Sequence, residues 1–153
     1  MSVNVLFLCL GNICRSPMAE AVFRDKVKRA GLENVFRIDS AGVGRWHIGK
    51  PPHEGTQNIL ERHGISSENM KARQLAEDDG AAFDYIIAMD DKNMNALFEQ
   101  THACRKKMLD FHPDRQGKDV PDPYLTGGFE EVFDLIHTSS AGLLEWIRKR
   151  ENI

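Results

Sequence analysis

The segment Cys9-Leu10-Gly11-Asn12-Ile13-Cys14-Arg15-Ser16 places a thiol six positions before an arginine, with a serine next. A loop of that length can curl until its successive backbone N–H groups converge into a nest for an anion. On that reading the loop residues Leu10, Gly11, Asn12, Ile13, Cys14 and Ser16 bind phosphate or another oxyanion. Arg15 adds a planar fork that matches two phosphate oxygens. Cys9 lies at the floor of the positive field, which favours the thiolate, the form that attacks phosphorus. Gly11 and Asn12 are residue types that tolerate the left-handed backbone a tight nest requires. Cys9 and Arg15 are therefore the candidate nucleophile and clamp.

A thiolate and a clamp do not complete a phosphoryl transfer, because the leaving group needs a proton. In Val120-Pro121-Asp122-Pro123-Tyr124, two prolines hold Asp122 in a stiff turn, which suits a general acid that must be aimed. Cys14 shares the loop with Cys9. A curled loop can bring two sulfurs within disulfide reach, so Cys14 is also read as the thiol that resolves an oxidised Cys9.

These groups need a scaffold. Val3 to Cys9 is apolar at nearly every position, the signature of a strand buried on both faces. Ser16 and Pro17 then read as N-cap and first residue of a helix that closes at Gly31. A second strand is expected at residues 35–40, a loop at 41–52 and a helix at 53–63 stopped by Gly64. A third buried strand follows at 83–89, then a helix capped by Asp90 or Asp91 and reaching about residue 100. Residues 107–110 suggest a weak fourth strand and 112–126 a polar loop. Phe129, Val132, Phe133, Ile136, Leu143, Leu144 and Ile147 mark one face of a long last helix. Alternating strands and helices imply an α/β fold, a parallel sheet with helices on both faces. In such folds ligands bind beyond the carboxyl ends of the strands, which is where the Cys9 loop and Asp122 fall.

Composition bounds the remaining classes. With 153 residues, 41% hydrophobic and 28% charged, the chain fits a single domain over 1–153. A net charge of −3 gives no reason to expect nucleic acid or a membrane as partner. No apolar run approaches a membrane span, and Val5 to Leu10 lacks the flanks of a signal peptide, so the expected setting is cytoplasmic. Three cysteines, an odd and low count, agree. Cys9 and Cys14 are spaced too widely for a zinc finger, and the six histidines are scattered, so no metal and no cofactor are expected. His102 and Cys104, the latter placed on a helix or its end, offer at most a weak metal contact. A phosphopeptide reader without catalysis would need neither Cys9 nor Asp122.

The chain resembles the low-molecular-weight protein tyrosine phosphatases. The resemblance rests on Val5 through Glu20, Asp39-Ser40-Ala41-Gly42, Trp46 through Pro52, Ala72-Arg73-Gln74, Phe83 through Asp90, and Asp122-Pro123-Tyr124, all in the family's order. It implies a four-stranded parallel sheet, phosphotyrosine-containing protein substrates and a cysteinyl-phosphate intermediate. Cys9 would be the nucleophile, Arg15 the clamp and Asp122 the general acid. Asn12 and Ser40 would belong to the network that holds the loop, and Trp46 and Tyr124 to the walls of the substrate cleft. Two positions depart from the animal pattern: Met70 stands where a histidine is common, and Leu125 where a second tyrosine is. Two relatives with other activities share the loop. Arsenate reductases of this type use a pair of further cysteines, in and after the segment aligned with residues 82–89, as a redox relay; this chain has none there, and Cys104 stands alone. Protein-arginine phosphatases typically carry Thr where this chain has Ile13, and a bulky apolar Ile13 suits a flat aromatic ring better than a guanidinium.

Overall fold

Only Asn4 interrupts the apolar run of β1 (Val3–Cys9), and every other residue of the strand is buried. In the computed structural model, which describes residues 2–97 and 101–153, β1 accordingly lies inside the sheet. It pairs in parallel with β2 (Phe36–Gly42) on one edge and β3 (Tyr85–Ala88) on the other. β3 pairs with β4 (Cys104–Lys107), giving the order β2-β1-β3-β4, all parallel. The expected four-stranded parallel sheet is what forms.

Alternate residues of β1 serve two cores. Val3, Val5, Phe7 and Cys9 face α1 (Arg15–Arg29) and α6 (Phe129–Glu151), which pack on each other, with α2 (Glu54–Arg62) alongside. Phe23 meets Phe7 and Phe36 edge-on at centroid distances of 5.5 and 5.7 Å, geometry worth about 0.5–1.5 kcal/mol per pair beyond burial. Leu6 and Leu8 point the other way, into a smaller core with Ala41, Phe83, Ile86, Leu97 and Ala103. The short helices α3 (Asp79–Ala82) and α4 (Asp91–Asn95) flank β3 in sequence, and Met94 of α4 packs on this core.

Several boundaries differ from expectation. Helix α1 starts at Arg15, its N-cap is Cys14, and no side chain caps it. Ser16 does not cap because its hydroxyl is engaged by Cys9. Helix α4, capped by the Asp90 carboxylate, ends at Asn95, and residues 98–100 of the longer expected helix lie outside the described residues. The fourth strand is Cys104–Lys107 and not 107–110, so Cys104 is on a strand and not a helix. This edge strand is polar, which hid it, whereas buried Met108 and Leu109 begin a 3-10 turn (Met108–Phe111). A one-turn helix α5 (Pro123–Thr126) interrupts the expected polar loop. Among the described residues no helix is long and apolar enough to cross a membrane.

Candidate active site

β1 delivers Cys9 to the carboxyl end of the sheet, and the chain turns at once into the loop before α1. The carbonyls of that loop are tied outward. Cys9 O accepts from Val43 N at 2.9 Å, Leu10 O from Gly44 N at 2.8 Å and Ile13 O from His53 N at 2.7 Å. Cys14 O accepts from Thr56 Oγ1 at 3.2 Å. Among the described residues no group accepts a hydrogen bond from the backbone amides of Gly11 through Cys14. Outward carbonyls and unused amides, set at the head of a fifteen-residue helix, can take the oxygens of a tetrahedral anion.

The curl needs one left-handed residue, and Asn12 supplies it with φ 57°. Gly11 does not adopt that conformation. Its lack of a side chain matters because a Cβ there would stand 3.0 Å from the His47 ring. Gly42, at the end of β2, lets the loop pass close by: a Cβ there would be 3.0 Å from both Leu10 O and the Gly11 carbonyl carbon.

A buried polar chain supports the loop from behind. The Asn12 Oδ1 accepts from Arg73 N at 3.0 Å, which fixes the amide so that Nδ2 donates to Ser16 Oγ at 2.8 Å and Ser40 Oγ at 2.9 Å. Ser40 donates to Glu20 Oε1 at 2.6 Å. Ser16 Oγ, having accepted from Asn12, lies 2.9 Å from Cys9 Sγ and can donate to it as a thiolate. Burial pushes the Glu20 carboxyl above its usual range, while Ser40 and Arg24 hold it back. Arg24 is the cation beside Glu20, and Met70 packs against the main core.

Arg15 is 3% exposed although it carries a charge. Its Nη1 donates to Asp90 Oδ2 at 2.7 Å and to Val120 O at 3.0 Å, and Nη2 is 3.7 Å from Asp122 Oδ2. The Asp122 Oδ1 accepts from Tyr124 N at 3.1 Å, so the carboxylate caps α5 and holds one orientation.

Cys9, Leu10, Gly11, Ile13, Cys14, Arg15, Asp122, Trp46 and Tyr124 line one pocket of about 300 Å³, together with His47 and Leu125. Asn12, Ser16 and Ser40 do not line it and are nearly fully buried in the chain behind. The walls are aromatic and apolar: Trp46 is 66% and Tyr124 57% exposed at the mouth. Trp46 lies so close over Gly44 that a Cβ there would come within 1.8 Å of its ring. Sequence reasoning missed His47, beside Trp46, and treated Asp90 only as a helix cap. Burial also pushes the Cys14 thiol up to about 12, with the charges of Cys9 and Asp122 adding to the effect.

Residues 4–152 match the family described as low molecular weight phosphotyrosine protein phosphatase. The chain belongs to that family. A low molecular weight protein-tyrosine-phosphatase of Bacillus subtilis, YfkJ, is 54% identical over 156 residues, covering 99% of each chain. Its crystal structure superposes with a TM-score of 0.92 over 98% of this chain and 97% of that one. The Staphylococcus aureus phosphatase PtpA is 41% identical over 154 residues, covering 99% of this chain and 97% of its own. A Drosophila arginine phosphatase is also similar, with a TM-score of 0.85 at 30% identity, covering 94% of this chain and 97% of its own. The same fold is thus shared by proteins described as tyrosine phosphatases and by one described as an arginine phosphatase.

Proposed function

We propose that this chain hydrolyses phosphotyrosine in proteins through a phosphorylated cysteine, with Cys9 as nucleophile, Arg15 as clamp and Asp122 as general acid and base. The observation that carries the reading is that these three residues line one apolar-walled pocket. The Cys9 thiolate attacks phosphorus in line, forming the S–P bond as the bond to the tyrosine oxygen breaks. Asp122 gives its proton to the departing phenolate. Water then attacks phosphorus, its proton passes to Asp122, and inorganic phosphate leaves as the thiolate is restored. Charge on the equatorial oxygens is met by the loop amides and Arg15, so the reaction calls for no metal or cofactor.

Ile13 and Tyr124 favour an aromatic ring over a guanidinium in the pocket. The likeness to an arginine phosphatase is the specific reason to test phosphoarginine as the second reading. The single unit over 1–153 is read as acting in the cytoplasm, where its three free thiols stay reduced. The net charge of −3 gives no bulk attraction to nucleic acid or an anionic membrane, and phosphoproteins are the partners that the anion-binding pocket favours.

A panel of phosphotyrosine, phosphoserine and phosphoarginine peptides tests the reading. Wild type is expected to turn over phosphotyrosine at least ~10-fold faster than the others, and Cys9→Ser to be inactive. A tenth of wild-type activity in Cys9→Ser would sink the covalent mechanism.

A further inference from the structure

Lys107 ends β4 and is 8% exposed, an unusual setting for a lysine, and none of the chemistry above uses it. Its ammonium spends all three donors. Nζ donates to Asp91 Oδ1 at 2.9 Å, to Gly117 O at 2.8 Å and to Asp119 Oδ1 at 2.8 Å. The same Asp119 oxygen also accepts from Asp91 N at 3.1 Å. The start of α4 and the stretch that runs from the 3-10 turn to α5 are therefore gathered on one cation. Burial alone would lower the Lys107 pKa. The hydrogen bonds and charges of Asp119 and Asp91 outweigh it and hold the ammonium above its usual range.

What lies downstream of that grip is the acid. Asp119 is followed by Val120, whose N–H donates to Met89 O at 2.9 Å and whose carbonyl accepts from Arg15. Pro121 fixes the next step of the backbone, and Asp122 follows. We propose that Lys107 is a positioning residue for the general acid, gripping Gly117 and Asp119 so that the segment ending in Asp122 is delivered at a fixed distance from Arg15 and Cys9. The inference rests on the proposed role of Asp122. Lys107 does not line the pocket, so its effect must pass through the segment.

The geometry separates this role from simple support of the fold. A slack acid matters where the leaving group needs its proton and matters little where it does not. A loosened sheet edge harms all substrates alike. Misplacing a catalytic group by about 1 Å can cost up to ~10²-fold. Lys107→Met is therefore expected to lower kcat/KM by ~10-fold or more on phenyl phosphate and by less than ~3-fold on p-nitrophenyl phosphate. The inhibition constant for inorganic phosphate should stay within ~2-fold, since the anion nest is built from other residues. Lys107→Arg, which keeps the charge and can reach two of the three acceptors, should recover much of the loss. In an Asp122→Asn background, Lys107→Met should cost nothing further, because the group it positions is already gone.

Equal losses on both substrates, or full additivity with Asp122→Asn, overturn the proposal. Asp119→Ala guards against a Lys107→Met chain that does not fold: the Asp119 side chain is half exposed, and the variant removes only one acceptor of the grip. Absence of the leaving-group bias in Asp119→Ala overturns the proposal equally. If Asp122→Asn itself shows no such bias, the acid assignment falls, and the role of Lys107 falls with it.

Discussion

Arg15 and Asp90 meet at 2.7 Å between Nη1 and Oδ2, and the other oxygen of Asp90 accepts from Asn93 N at 2.8 Å to cap α4. One carboxylate just beyond β3 thus orients the guanidinium proposed as the phosphate clamp and starts a helix. With one edge of the guanidinium held by Asp90 and Val120, its remaining donors are left for the anion. Asp90→Ala should raise the inhibition constant for inorganic phosphate by ~10-fold or more. Loss of the cap should cost about 1 kcal/mol of stability. Inhibition assays beside thermal melts check both, and unchanged phosphate inhibition would show that Arg15 holds its place without Asp90.

Ile13 is buried in a small apolar cluster with Cys14 and Ala72, against Phe129, and still forms part of the pocket wall. Ile13→Thr removes part of that wall and adds a hydroxyl. The ratio of kcat/KM for phosphoarginine over phosphotyrosine should rise by ~10-fold or more, the scale of one lost apolar contact. An unmoved ratio would exclude Ile13 as the selector.

The thiol of Cys14, pushed up to about 12 chiefly by burial, is protonated at neutral pH. Peroxide is expected to convert Cys9 to the sulfenic acid. Resolution then needs a Cys14 thiolate to attack that sulfur, forming the S–S bond and releasing hydroxide. Disulfide formation should therefore quicken by ~10-fold per pH unit from pH 7 to 9. Recovery with dithiothreitol after peroxide treatment should be greater at the higher pH in wild type and flat in Cys14→Ser. A pH-independent recovery, or no linked Cys9–Cys14 peptide by mass spectrometry, would remove Cys14 from that role.

The hydrogen bond from Lys107 is the main reason the Asp119 carboxyl is held below its usual range. A depressed carboxylate stabilises the fold above its unfolded pKa of about 3.9, and that contribution is lost as pH falls through the lower folded value. The raised Lys107 contributes below about 10.4 and loses its contribution as pH climbs through its higher folded value. Asp119→Asn should melt lower than wild type by a constant margin between about pH 5 and 9. The margin should close as pH falls from about 3.9 through the lower folded value. A margin that persists in acid would mean that the pair contributes through packing.

Much of this site was legible in the residues, for physical reasons that vary by element. β1 reads plainly because a strand covered on both faces must be apolar throughout, and the spacing of Cys9, Arg15 and Ser16 is tied to one loop geometry. Ser16 misled because two uses of a serine compete: it resembles a helix cap, yet the sulfur of Cys9 takes its hydroxyl. β4 hid because an edge strand may carry charge, and Arg105 and Lys106 are exposed while only Lys107 is buried. Asp90, Lys107 and His47 gain their roles from contacts made across the sheet or between loops, which no local pattern encodes.

The strand order carries a consequence for the chain as it is being made. β1 is synthesised before both of its neighbours in the sheet, which begin only at Phe36 and Tyr85. Until the ribosome has released both, a seven-residue, almost wholly apolar segment presents an unpaired edge, the arrangement that invites association with other nascent chains. Cys9 waits longer still for its proposed acid, since Asp122 follows all four strands. On the proposed assignment, catalytic competence is withheld until Asp122 has emerged, and a chain cut short before Tyr85 is expected to be both inactive and prone to aggregate.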